Sequence, residues 1–177
     1  SSYNSLQASI ERRASAFTFL ASYTWSKSMD NASGFSGMNF LNFNLSRALS
    51  SFDVTHNFVA SYSYEFPFDR LAPMLPKRLT QGWSVNGITR IAGGTPIGIS
   101  QTGDRSLTGA GNDEPDFIGG LVITQNVRDK GPTGRVHEFF NKEAFVSGPL
   151  GAYGNANQRF FHGPGTVNTD LGIHKTT

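Results

Sequence analysis

"FTFLASYTWSKS", residues 17–28, decides the fold. Phe17, Phe19, Ala21, Tyr23 and Trp25 fall on one parity, and Thr18, Leu20, Ser22, Thr24 and Ser26 on the other. A period of two is the signature of an extended strand whose faces meet different surroundings. The same period recurs. Residues 5–13 set Leu6, Ala8 and Ile10 against Ser5, Gln7, Ser9 and Glu11. Residues 56–66 set Phe58, Ala60, Tyr62, Tyr64 and Phe66 against Asn57, Val59, Ser61, Ser63 and Glu65. Residues 82–92 place Trp83, Val85, Thr89 and Ile91 on one face, and residues 166–175 alternate Val167, Leu171 and Ile173 with Asn168, Asp170 and His174. The helical period fits poorly almost everywhere, so the expected class is all-β, with antiparallel up-and-down strands.

Composition narrows the choice. Charged residues make up 16% of the 177 and aromatics 12%, with 15 Phe and 20 Gly, which argues against both a disordered tail and a helical bundle. The net charge of +2 is small and no Lys/Arg run exceeds two residues, so a nucleic-acid footprint is not expected. There is no cysteine, which excludes disulfides, thiolate metal sites and thiol nucleophiles. No apolar run exceeds three residues, far short of the roughly twenty that a membrane-spanning helix requires. The chain opens "SSYNSLQ" with neither a leader nor an initiator Met, so a mature chain or a piece of a longer one is expected.

The connections alternate in length: Ala14-Ser15-Ala16 is short, residues 27–51 are long and polar, residues 67–81 form a modest turn with three of the eight prolines, and residues 101–165 read mostly as loop. Pro67 ends one strand and Gly93-Gly94-Thr95-Pro96 break another. Within the last loop, Leu121-Val122-Ile123 is a short apolar piece and "HEFFNKEAF" a candidate helical turn. No shift in composition marks a second domain.

A soluble sandwich strand also alternates, but soluble cores favour Val, Ile and Leu. Here Phe, Tyr and Trp fill the apolar parity, and rings with a polar tip suit a membrane–water boundary. The opposite parity is small and hydrated, as in a water-filled lumen, and the short-turn, long-loop rhythm belongs to transmembrane barrels. Expected lumen-facing residues are Ser22, Thr24, Ser26, Asn57, Ser61, Glu65, Asn86 and Arg90. Expected lipid-facing or girdle residues are Phe17, Phe19, Tyr23, Trp25, Phe58, Tyr62, Tyr64, Phe66 and Trp83. About five strands are counted, whereas bacterial barrels close at about eight or more. A partial segment of a larger barrel is therefore expected.

"YNSLQASIERR", "FLASYTWSKSMDNAS", "FDVTHNFVASYSYEFPF", "GWSVNGITRIAGGTPI", "EFFNKEAF" and "GPGTVNTDLGIHK" follow one another between residues 3 and 175. This ordered series resembles the Oar-like branch of the TonB-dependent outer-membrane transporters. The resemblance implies that residues 1–177 are a segment from the C-terminal half of a barrel of about 22 strands, in the bacterial outer membrane. It implies three partners: membrane lipid, an inner-membrane energy-coupling protein reached through the missing N-terminal part, and an extracellular substrate such as a carbohydrate, a peptide or a metal chelate. The family's plug domain, its coupling-protein box and its final strands have no counterpart in the sequence.

Other motifs carry less. "HEFFN", 137–141, lacks the second His of a zinc-protease helix. Asp104, Arg105, Asn112, Asp113, Glu114 and Asp116 are extracellular-loop candidates; their carboxylates could suit calcium, but the spacing is not that of an EF-hand and a solvated turn-rich loop is the plainer reading. "GAG", 109–111, lacks the strand–helix frame of a phosphate loop. The four His residues show no ligand spacing and read as surface or lumen groups, and no Ser/His/Asp spacing argues catalysis. No cofactor, no metal and no enzymatic activity are expected. Two alternatives stand beside the transporter segment: a secreted, soluble β-sandwich that binds carbohydrate, and a self-assembling surface protein with open strand edges.

Overall fold

The computed structural model describes residues 1–33, 39, 42–44, 46–71, 74–109, 111–123, 139–156 and 159–176. In chain order its strands are β1 (Ser2–Ala14), β2 (Phe17–Asp30), β3 (Ala48–Leu49), β4 (His56–Glu65), β5 (Trp83–Ala92), β6 (Pro96–Gly98), β7 (Gln101–Thr102), β8 (Asn112–Asp113), β9 (Asp116–Phe117), β10 (Phe145–Val146), β11 (Arg159–His162) and β12 (Thr166–Lys175). Two four-residue helices, α1 (Phe68–Leu71) and α2 (Lys77–Thr80), lie between β4 and β5, and a 3-10 turn spans Lys142–Ala144. The class is all-β, as the period of two requires.

The main sheet follows the path β1-β2-β4-β5-β12, with β3 pairing with β2. The β2–β4, β4–β5 and β5–β12 pairs are antiparallel and in continuous register. Each long strand joins the next along the path, so the sheet is an up-and-down meander. It is open, with β1 and β12 at its ends.

Two compact units divide the chain. One comprises Tyr3–Lys27, Val54–Gly94 and Gly165–Thr177 and holds nearly all of the long strands. Aromatic and β-branched residues favour these strands, and Pro67 and Gly93-Gly94 stop them where no ladder bond can continue. Gly82 enters β5 with a φ of 76°, and its carbonyl accepts from Thr176 N (2.8 Å), closing the β5–β12 end of the ladder. Gly87 has a different role. The ring of Tyr62, its partner across the β4–β5 ladder, lies over it where a Cβ would stand. The Tyr62 hydroxyl lies 3.4 Å from Thr89 Oγ1, which is 3.2 Å from Thr169 Oγ1. An aromatic ring laid over a strand glycine restores the packing that the missing side chain would have supplied.

The other unit comprises Ser1–Ser2, Ser28–Asp53 and Thr95–Pro164. Its strands are short: β3 extends the end of β2, β6 pairs with β11, β7 with β8, and β9 with β10. Among its described residues, buried polar groups mix with Leu49, Phe161 and small apolar side chains. Asp53, Asp113 and Ser50 are the largest fully buried side chains, beside small apolar residues such as Ala144 and Ala156. The segments 27–51 and 101–165, expected as loop or mostly loop, thus hold ladder fragments among their described residues; Lys27–Asp30 still belong to β2, and β3 pairs with Met29 and Asp30. In the "HEFFNKEAF" stretch, His137 and Glu138 lie outside the described residues and the turn falls at Lys142–Ala144, where Asn141 Oδ1 accepts from Glu143 N (3.0 Å).

Gly87→Ala should destabilise the folded protein by about 1–3 kcal/mol, the usual range for overpacking, because Tyr62 must leave its place. Combining it with Tyr62→Ala should recover part of that loss. Urea titration of the four variants in lipid vesicles, as a double-mutant cycle, measures the coupling; strict additivity would contradict the stacking.

Candidate functional site

Directly paired residues of an antiparallel ladder share a face. The register therefore sorts the main sheet. One face carries the rows Phe17–Tyr64–Val85–Ile173, Phe19–Tyr62–Gly87–Leu171, Ala21–Ala60–Thr89–Thr169 and Tyr23–Phe58–Ile91–Val167, with Trp25 beside His56 and Trp83 beside Lys175. The other carries Thr18–Ser63–Asn86–Gly172, Leu20–Ser61–Ile88–Asp170, Ser22–Val59–Arg90–Asn168 and Thr24–Asn57–Ala92–Thr166, with Glu65 beside Ser84 and His174.

All of the ladder residues expected on the polar parity share this second face: Ser22, Thr24, Asn57, Ser61, Glu65, Asn86 and Arg90. Ser26 lies beyond the β2–β4 ladder, where its N–H and Oγ donate to the carbonyls of Thr55 and Val54, each at 2.9 Å. The face is held by cross-strand hydrogen bonds. Ser63 Oγ donates to Asn86 Oδ1 (2.6 Å) and Arg90 Nε to Asn57 Oδ1 (3.0 Å), while Asn168 Nδ2 donates to Asp170 Oδ2 (3.1 Å) along β12. The Arg90 Nε bond thus runs to a neutral amide, not to a carboxylate. Leu20, Val59, Ile88 and Ala92 interrupt the polar surface, so it is mixed. A concave space of about 430 Å³ on this face is lined by Ser61, Ser63, Asn86, Asp170 and His174 among others.

Phe17, Phe19, Tyr23, Trp25, Phe58, Tyr62, Tyr64 and Trp83 share the first face, and Phe66, just past β4, packs edge-on against Tyr64 with centroids 5.1 Å apart. This face is broadly exposed: Tyr23 is 39% exposed, Trp25 42% and Leu171 68%. Two of its polar tips are paired: Tyr23 Oη meets His56 Nδ1 at 2.7 Å and Trp83 Nε1 donates to the Leu79 carbonyl at 2.8 Å. An apolar surface of this extent is costly in water and suited to a nonaqueous neighbour.

Asp104, Asp113 and Asp116 turn their carboxylates to N–H and O–H donors of nearby loop residues. Asp104 accepts from Gly109 N (2.7 Å), Thr108 N (2.9 Å) and Ser106 Oγ (3.1 Å), and buried Asp113 from Ser106 N (2.7 Å) and Ser106 Oγ (2.8 Å). These bonds hold Leu107 at a φ of 61°, a left-handed conformation that costs a residue with a Cβ about 1–2 kcal/mol. Asp116 accepts from Asn155 N (2.8 Å), Arg105 Nε donates to the Gly148 carbonyl (2.6 Å), and Asn112 pairs with Thr102. Glu114 is buried, and its carbonyl accepts from Gln101 Nε2 (3.2 Å). Among the described residues, no group of three His, Cys, Asp or Glu is placed to hold a metal ion.

Sequence reasoning missed one cluster. His162 Nε2 meets Asp53 Oδ2 at 2.9 Å, Asp53 Oδ1 accepts from Ser28 N at 2.5 Å, and the Ser28 and Ser50 hydroxyls are 2.9 Å apart. Arg159 Nε donates to the Leu49 carbonyl at 2.6 Å and its Nη2 lies 3.5 Å from Asp30 Oδ1. His162, expected as a surface or lumen group, is therefore tied to a buried carboxylate. Its partner is 109 residues away, beyond any local spacing rule. These bonds tie the end of β2, β3 and the residues that follow it to β11.

A family model described as "Outer membrane beta barrel domain" matches residues 1–177. No curated protein and no solved structure matches the chain.

Two predictions follow from this geometry. If the face that carries the aromatic rows meets lipid, Leu171→Arg should destabilise the protein in a bilayer by up to about 2–4 kcal/mol, the cost of a cation on a lipid-facing strand, and Asp170→Arg, on the opposite face, by far less; urea titration in vesicles compares them. The Gly109 N–H, with Thr108 N–H and Ser106 hydroxyl, holds the Asp104 carboxyl below the ordinary carboxylate range. A depressed folded value stabilises the loop above the unfolded pKa, near 4, and that contribution is lost as pH falls through the folded one. Amide exchange at Thr108 and Gly109, corrected for intrinsic rates, should show stable protection at neutral pH and lose it in acid; Asp104→Asn should weaken it at neutral pH.

Proposed function

Because the chain belongs to the outer-membrane β-barrel domain family and is thereby assigned to the bacterial outer membrane, we propose that it is a segment of a TonB-dependent receptor of the Oar-like kind. In this reading the aromatic face of β2, β4, β5 and β12 meets lipid and the polar face lines the lumen. The parent protein binds an extracellular substrate in the segments around residues 27–51 and 101–165 and passes it inward, driven by the inner-membrane coupling protein. It works by binding and passage, without catalysis. The open edges of β1 and β12 would be paired by further barrel strands, since hydrocarbon leaves no water to satisfy them.

The observation that carries the membrane part is the register, which collects the aromatic residues of β2, β4 and β5, with the aliphatic Val167, Leu171 and Ile173 of β12, on one face. The transporter part rests on the ordered motif series from "YNSLQASIERR" to "GPGTVNTDLGIHK". Ordered hydrogen bonding in both loop segments supports a preformed binding surface, because a site that is already folded loses less entropy on contact.

The test is the native gene product that contains these peptides, isolated from outer membranes. Its intact mass should be several times 19.2 kDa, and site-specific cross-linking through its N-terminal region should capture the energy-coupling protein. A product near 19.2 kDa, or a large product that never cross-links to the coupling protein, would overturn the transporter reading.

A further inference from the structure

We propose that the turn between β4 and β5, residues 66–71 and 74–82, is a built-in membrane anchor that lies in the phospholipid headgroup layer, with its apolar side chains toward the acyl boundary and its cations on lipid phosphates. The first observation is continuity. Phe66 packs edge-on against Tyr64 of the aromatic face, and Phe68 of α1 stacks on Phe66 with centroids 5.0 Å apart and planes 7° from parallel. The aromatic surface thus runs past the end of β4 into the turn. On the returning side, Trp83 occupies the same face and donates its indole N–H to the Leu79 carbonyl of α2. Both short helices are fastened to the side of the sheet that meets lipid.

The second observation is what the turn leaves uncovered. Met74 is 97% exposed, Leu79 62% and Leu75 54%. A four-residue helix is too short to persist on its own propensity; it needs a surface to lie on. The third is charge. Lys77, Arg78 and Arg70 are exposed beside these side chains, and Lys175 sits 5.7 Å from the Trp83 ring centroid with Nζ donating to the Gln81 carbonyl (3.2 Å). The acids nearby are Glu65 and Asp69, and Asp69 already accepts from Arg70 N and Gln81 Nε2. Apolar side chains flanked by cations on long stems match a headgroup layer, where the stem lies in apolar surroundings and the head reaches phosphate. The inference rests on the aromatic face meeting lipid and is independent of energy coupling or substrate.

The test uses the full gene product folded into vesicles of three parts phosphatidylcholine to one part phosphatidylglycerol. Single cysteines replace Met74, Leu171 or Leu150, any native cysteines elsewhere having been removed, and each carries an environment-sensitive fluorophore. Correct folding of each variant is checked by heat-modifiable gel mobility. The label at Met74 should be blue-shifted, quenched by lipid spin-labelled near the headgroup and protected from aqueous iodide; the label at Leu150, a loop control, should behave oppositely. Equal iodide quenching at 74 and 150, with 171 still lipid-quenched, would overturn the anchor while leaving the lipid-facing sheet in place; iodide quenching at 171 would overturn the premise itself. In the Lys77→Glu/Arg78→Glu variant, partition of the Met74 label into the headgroup layer should fall severalfold, more so with phosphatidylglycerol than without. An unchanged partition would overturn the phosphate contacts.

Discussion

The constraint on which this structure depends is the pairing of backbone N–H and C=O groups between neighbouring strands. In a hydrocarbon layer an unpaired backbone group has no water to turn to, so spanning segments must be helices or laddered strands. None of the described helices is long and apolar enough to cross a membrane. The β2–β4–β5–β12 ladder meets the requirement with strands, and in doing so it fixes everything that sits on them. A continuous register aligns rows across four strands, so each residue's face is decided by its partner as much as by its own strand.

Register has chemical consequences on both faces. On the aromatic face several polar atoms find partners within the protein: Tyr62 reaches toward Thr89, Thr89 toward Thr169, and Tyr23 toward His56. That economy matters because an unbonded hydroxyl in apolar surroundings is costly. On the other face, polar side chains bond across strands between the apolar Leu20, Val59, Ile88 and Ala92. A slip of one residue in any strand would exchange the two sets. The glycine at position 87 is a local expression of the same rule: it is free of a side chain where its cross-strand neighbour Tyr62 needs the space.

The unit outside the long strands is held differently. Among its described residues, carboxylates and hydroxyls are buried alongside Leu49, Phe161 and several alanines, so directed hydrogen bonds join apolar burial in ordering it. Asp53, Asp104, Asp113 and Asp116 each gather N–H or O–H donors from segments that lack regular ladders, and Asp53 also meets the His162 ring. Such bonds define a loop's shape without a large core, and they leave its surface polar. This suits a surface that meets solutes in water.

The sequence by itself determined the five long strands and their two faces. Parity is a local property: Phe17 to Trp25, Phe58 to Phe66 and Val167 to Ile173 declare a period of two with no knowledge of neighbours. The boundaries near Pro67 and Gly93 are equally local, because proline and glycine act on their own dihedrals and hydrogen bonds. The 166–175 strand was legible to the residue, whereas β2 outran its expected end because β3 supplies a partner for Met29 and Asp30. The tertiary structure alone decided which strand lies beside which, that Tyr62 covers Gly87, that the acidic residues of 103–116 fold onto amide groups, and that His162 meets Asp53. These are contacts between residues far apart in sequence. No period or spacing encodes them, because they arise only when the ladder brings distant segments to hydrogen-bonding distance.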